Sequence, residues 1–326
     1  MKMNLLKIAL AGAVLVAAVA SLVHVADAPQ SANPMEAVGL VAMQRSQQEP
    51  ITPLPSPSVP DAKKAALGER LFHDVRLSGQ GDKSCASCHD LTTNGAKREP
   101  PAGQRLDARR GFDTVSVFNS ALNFRLTWLG LFRSLEEQAE ASLQNQQTMD
   151  ADIDVVLDRL NADVEIERAF REVYGGPAAR EGLLDALAAF ERTLLTPGSR
   201  FDRFLLGDRE ALSAEELHGY QLFKSLGCIS CHQGVNIGGN LYQKPGVFKP
   251  LSATAPAMVR VPSLRNVAAT APYFHDGSAA TLGQAIRRMA RAQLNVTIGA
   301  SDVEDLTAFL GTLTGLYRGQ PVRPAE

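Results

Sequence analysis

An all-α protein of two domains, with few short strands, is the fold this sequence predicts, and three observations predict it. From Asp61 onward apolar residues recur at helical spacing almost throughout. Strand-like segments are few and short. A Cys-x-x-Cys-His run occurs twice, "SCASCHD" at 84–90 and "GCISCHQ" at 227–233, and takes up all four cysteines of the chain. The two copies divide the folded part into comparable halves, so each half is expected to gather its helices around one of them.

Each element of the run has a chemical use. Two thiols three positions apart, on the first turn of a helix, can form thioether bonds to the two vinyl groups of one haem c, and the histidine that follows can bind the iron. Cys85, Cys88 and His89 are assigned to one haem, and Cys228, Cys231 and His232 to a second. Paired CxxC units can also hold zinc, and a single one can be a redox dithiol. Zinc pairs usually lie closer together, and neither alternative asks for a histidine after the second cysteine both times. Two cytochrome c-like domains, each with one covalent haem c, follow from this reading.

The chain has 326 residues, 45% of them hydrophobic, and a net charge of -2, which suits two globular domains and gives no sign of a nucleic-acid partner. Residues 1–28 carry an early lysine, an apolar run from Ile8 to Val23 and then small residues, the pattern of a signal for export. Pro29 makes a poor cleavage context and the run is nearly long enough to span a bilayer, so an uncleaved anchor in the inner membrane stays open. Export places the protein in the periplasm. Residues 29–60, with "ITPLPSPSVP", read as an extended proline-rich linker.

The first domain is assigned to 61–205. It opens on "DAKKAALGERLFHD", with Ala65, Leu67, Leu71 and Phe72 near one face, and continues through "SLEEQAEASLQ", which begins with a capping box at Ser134 and Glu137. Further helices are expected around 150–160, 163–173 and 178–195. The segment "LTPGSRFDRFLLGD" reads as the seam. The second domain, 206–326, is expected to have helices around 213–226, 281–294 and 301–313.

Three ordered blocks around the two haem motifs, "LGERLFHDVRLSGQGDKSCASCHD", "VPSLRNVAATAPYFHDGSAATLGQAI" and "FLGTLTG", resemble the bacterial di-haem cytochrome c peroxidase and MauG family from about Asp61 to Gly315. The resemblance implies that the C-terminal haem receives electrons and is bound by His and Met. The matching methionine is Met289, fourteen residues after His275 of "YFHDG". A thioether favours ferrous iron and raises the potential, though a methionine on such a helix is more often core packing. The N-terminal haem, on His89, is the family's peroxide site. Members that need reductive activation carry a removable distal histidine in the loop after this motif, and its register falls on Arg105 here, so an open site is expected even in the oxidised protein. His73 is read as surface packing.

The family's tryptophan between the haems matches Trp128, in "LTWLG" where a Trp-Asp-Gly-Arg run is usual. Gln138 falls on the family's distal glutamine, ten residues on. After ten more the usual glutamate is Thr148, which cannot titrate as a carboxylate would in general acid–base work. A family calcium, held by an Asn and two backbone carbonyls, maps to Asp113, Thr270 and Pro272. His218 and His24 belong to no motif, and His275 is read as making structural hydrogen bonds.

The activity this implies is reduction of hydrogen peroxide to water with electrons from a small c-type cytochrome or cupredoxin, by a protein whose relatives are often homodimers. A MauG-like oxidase acting on a partner protein is the alternative among enzymes. MauG has a tyrosine as distal ligand where Met289 stands. A dihaem electron carrier that has lost peroxidase chemistry at Thr148 is the alternative outside enzymes.

Overall fold

Helices start where a side-chain oxygen precedes an apolar stripe and can accept from an otherwise unpaired backbone N–H. In the computed structural model, which describes residues 49–58, 61–96, 112–252 and 255–325, Asp61 does this for α1 (Ala62–Phe72) and Ser134 for α2 (Leu135–Gln144). Asp152 and Asp163 start α3 (Ile153–Asn161) and α4 (Val164–Tyr174), the latter closed by Gly175 in a left-handed conformation. Then come α5 (Arg180–Glu191), α6 (Arg200–Leu205) and α7 (Ala214–Ser225). Thr281 caps α8 (Leu282–Met289), and α9 (Ala300–Gly311) closes the helical series. The strands are two short antiparallel pairs, β1 (Tyr242–Gln243) with β2 (Val259–Arg260) and β3 (Leu316–Tyr317) with β4 (Gln320–Pro321). The predicted all-α class and nearly every predicted helix are present. No helix among the described residues is long and apolar enough to cross a membrane.

The described residues lie in a single unit, Val41–Glu326, with two large hydrophobic cores and a small third one around Leu126, Leu135 and Ala188. One large core gathers Leu71, Phe72, Leu160, Phe170, Leu183 and Phe190, and the other Phe201, Tyr220, Phe223, Phe309 and Leu313. Two expectations need correction, and the seam takes a definite form. The stretch read as a seam forms α6, capped by Ser199, and Phe201 and Leu205 pack into the second core. Residues 49–58 are not a free tether: Ile51 is fully buried in the second core. The haem-motif cysteines sit on short 3₁₀ turns, Cys85–Ser87 and Cys228–Ser230, rather than on α-helices. The N-terminal signal or anchor, most of the predicted linker, His24 and the Arg105 position lie outside the described residues.

The two lobes repeat one another in detail. A Cβ added to Gly68 of α1 would meet the Ala186 carbonyl oxygen at 1.9 Å and Phe190 Cβ at 2.8 Å on α5. One added to Gly219 of α7 would meet the Asp305 carbonyl oxygen at 2.0 Å and Phe309 Cβ at 2.9 Å on α9. The same glycine-mediated crossing thus pairs α1 with α5 and α7 with α9. Alanine would gain about 1 kcal/mol of helix propensity, but the clash is with backbone that cannot rotate away. Gly68→Ala and Gly219→Ala are each expected to destabilise the protein by about 1–3 kcal/mol, read as a lowered midpoint in urea.

A second repeat lies in the loops. Asn119 and Asn266 both have φ of 60° and both donate from Nδ2 to Thr196 Oγ1, at 2.9 Å each. Nine residues on come Trp128 and His275, each in a tight loop closed by an isolated bridge, Leu126 with Phe132 and Tyr273 with Ala279. Each loop leads to a capped helix, Ser134 before α2 and Thr281 before α8. Continued along these helices, the correspondence sets Ser142 opposite Met289.

Candidate active site

Each haem motif opens onto a cavity. The first, of about 350 Å³, is bordered by Cys85, Cys88, His89, Gln138, Ser142 and Thr148. The His89 ring nitrogen Nδ1 lies 3.1 Å from the Gly95 carbonyl, which favours the tautomer that donates there and leaves Nε2 as the ligating atom. Burial lowers the His89 pKa, and so keeps the ring in the neutral form that binds metal. The second cavity, of about 300 Å³, is bordered by Cys228, Cys231, His232 and Met289. Burial pushes His232 down to about 4, with the same consequence.

Met289 ends α8 where the helix loosens into a π turn, Ala290–Leu294, an irregularity that often marks a functional position. The Met289 thioether and the His232 imidazole therefore belong to one cavity, as a two-ligand site requires. In the first cavity the corresponding position is Ser142, which sequence reading overlooked. Gln138 Nε2 donates to Ser142 Oγ at 2.6 Å, and Thr148 Oγ1 donates to the Ser142 carbonyl at 2.6 Å. Gln138 thus keeps its own amide oxygen as an acceptor, and the Thr148 hydroxyl has its proton engaged by backbone. His73 is exposed and its ring meets Phe72 edge-on, 5.6 Å between centroids, in keeping with a packing role.

Trp128 borders both cavities. Its Nε1 donates to the Asp113 carbonyl at 2.9 Å, and its own carbonyl accepts from the Arg260 N–H at 3.0 Å. The ring stands edge-on to His275, 6.4 Å between centroids. For His275, read from the sequence as making structural hydrogen bonds, the carbonyl accepts from Asp113 N, but among the described residues its buried Nε2 has no partner. His218, exposed on α7, reaches Asp305 of α9 at 2.6 Å and is remote from both cavities.

Sequence reading also missed Arg260. It is 2% exposed, borders both cavities, and among the described residues its guanidinium hydrogen-bonds only to the Thr127 and Val261 carbonyls. Burial lowers its pKa to about 10. A buried cation without a carboxylate partner is costly unless an anion comes to it. The propionates of a haem are such anions. Apolar walls, paired thiols, a neutral imidazole and this cation fit haem c in both cavities. At the position assigned to calcium, Asp113 Oδ2 and the Pro272 ring approach the same face of Gly277, at 2.5 Å and 3.1 Å from where a Cβ would lie. Among the described residues no group of three or more His, Cys, Asp or Glu side chains gathers for a metal ion.

Comparison with known proteins agrees with this arrangement. Residues 62–210 match the family model described as di-haem cytochrome c peroxidase, and residues 217–314 match that of cytochrome c. The chain is 39% identical over 282 residues to the cytochrome c551 peroxidase of Nitrosomonas europaea, covering 82% of this chain and 84% of that one. It is 32% identical over 317 residues to the methylamine utilization protein MauG of Methylorubrum extorquens, covering 88% of each. Among solved structures, a MauG-like protein associated with microbial copper homeostasis superposes with a TM-score of 0.65 at 27% identity, over 80% of this chain and 93% of the other. With both lobes matched in order and a cavity at each Cys-x-x-Cys-His run, the chain belongs to the di-haem cytochrome c peroxidase and MauG family.

Proposed function

We propose that this protein is an exported periplasmic peroxidase that reduces hydrogen peroxide to water with electrons from a small c-type cytochrome or cupredoxin. The observation that carries the reading is the unlike furnishing of two duplicated cavities with a common wall: Ser142, beside Gln138, stands in one where Met289 stands in the other. Haem c bound at His89 and His232 supplies one-electron storage and, where the sixth position of the iron is open, cleavage of the O–O bond.

The chain's own residues do the rest. Cys85, Cys88, Cys228 and Cys231 anchor the two groups, and Met289 closes the second site so that it stores electrons and admits no peroxide. Gln138 accepts from a peroxide O–H through its free amide oxygen. Thr148 offers Oγ1 as an acceptor and orders water without titrating. Trp128 carries electrons through the common wall, and Arg260 holds propionates from either side. Asp113 with the carbonyls of Thr270 and Pro272 binds calcium and stiffens that wall, and a homodimer belongs to the same reading. A MauG-like oxidase fits less well because Met289, and not a tyrosine, stands at the register position of that haem's distal ligand.

The test is peroxide-dependent oxidation of a reduced small cytochrome c by the haem-loaded protein, started fully oxidised and half-reduced. Turnover from both states is expected, and Thr148→Glu is expected to raise kcat by up to about 10²-fold by restoring an acid–base group. Absence of turnover in wild type and variant, with both haems attached, would overturn the reading.

A further inference from the structure

One buried acid in the first cavity has no part in the reading so far. Glu191, the last residue of α5, is 8% exposed and borders the same cavity as Cys85, His89, Gln138 and Thr148. Among the described residues no donor hydrogen-bonds to its carboxyl. The duplication makes this unusual. The glycine crossings set Ala186 against Asp305 and Phe190 against Phe309, so Glu191 corresponds to Leu310, which is buried beside the second cavity. Packing at this place is satisfied by leucine. A carboxyl there must answer to something other than packing, because its desolvation is costly.

Of the groups that share its cavity, the Cys85 thiol senses its charge, Lys83 donates to the Thr148 carbonyl, and Arg260 donates to the Thr127 and Val261 carbonyls. Glu136 of α2 pairs with Arg192, the next residue along, and Lys64 of α1 pairs with Asp185 at 2.6 Å. Burial first, and then the charge of Glu136, raise the Glu191 pKa to about 8, against a smaller lowering by Arg192. Glu136 itself is shifted downward and stays ionised. Glu191 is thus the one carboxyl in this cluster poised to exchange a proton near neutral pH.

We propose that Glu191 is the proton acceptor coupled to electron arrival in the first cavity, keeping a proton at hand where peroxide is reduced. This rests on the reading of that cavity as a haem site. With haem c held by His89, one electron from the small donor protein would reduce the iron there. One solvent proton converts the Glu191 carboxylate to the acid. Reduction of one peroxide to two waters consumes two electrons and two protons, and Glu191 furnishes one of those protons. Loss of a positive charge at the iron tightens the carboxyl's hold on its proton. Raising the pH therefore disfavours reduction between the pKa values of the oxidised and reduced states.

The experiment is a spectroelectrochemical titration of both haems in the full-length holoprotein from pH 5 to pH 9, for wild type, Glu191→Gln and Glu191→Leu. In wild type the midpoint of the first haem should fall as pH rises, by up to about 59 mV for each tenfold drop in proton activity at a one-electron couple. That slope should vanish in both variants while the second haem titrates alike in all three. Glutamine keeps the shape and leucine copies Leu310, so one folded variant suffices. A slope that persists in a folded variant, or no slope in wild type, overturns the proposal. Peroxide turnover measured on the same samples separates the two readings: a slope lost with Glu191 but no turnover even in wild type would sink the peroxidase and leave the proton coupling standing.

Discussion

His89→Ala is expected to abolish peroxide turnover while leaving the second haem with its His/Met absorption spectrum and its potential. On the proposed reading the imidazole joins iron to protein in the first cavity, and its Nδ1 contact to the Gly95 carbonyl orients it. Loss of groups that merely orient a metal ligand commonly costs about 10–100-fold, so removal of the ligand should exceed that. On the proposed reading Met289 closes the second site, so no alternative peroxide site takes over. Added imidazole, small enough to enter the cavity of about 350 Å³, should restore part of the rate. Undiminished turnover in His89→Ala would mean that peroxide is reduced at the other haem.

Arg265→Met is expected to be the most destabilising single substitution considered. Arg265 and Asp202 form an ion pair at 2.6 Å with side chains 1% and 2% exposed. The guanidinium also donates to the Thr52 and Val235 carbonyls, and Asp202 Oδ1 accepts from Leu54 N at 3.1 Å. This cluster holds residues 49–58 against the second lobe. Removing the arginine strands a buried carboxylate, a change that costs about 3–5 kcal/mol. Replacing both partners, as Arg265→Met with Asp202→Leu, removes the stranded charge and should recover a large part of the loss. Urea unfolding of the two singles and the double gives the coupling directly. A single variant as stable as wild type would show that the pair is solvated.

The candidate haem-attachment runs are legible because that chemistry forces short, fixed spacings. The helices were legible because apolar stripes and side-chain caps are local. Trp128, Gln138 and Met289 came from resemblance alone, and the cavities they border supply the physical reason for each. Ser142 could have been found by aligning the two loops on Asn119 with Asn266 and Trp128 with His275, since the residue opposite Met289 then falls out by counting. Glu191 and Arg260 carry no local mark. A glutamate ending a helix and an arginine in a short strand read as surface residues, and only the crossing of α1 with α5 and the pairing of β1 with β2 turn them inward. The strap at 49–58 was missed for a related reason. Proline-rich composition predicts an extended chain correctly, but not the buried salt bridge that takes up its backbone hydrogen bonds.

The division of labour between an open and a closed haem is tested most directly by electron paramagnetic resonance of the fully oxidised holoprotein. One high-spin or water-ligated ferric signal from the first cavity beside one low-spin His/Met signal from the second is the predicted result. Two low-spin signals would contradict it, because a side chain would then occupy the position proposed for peroxide.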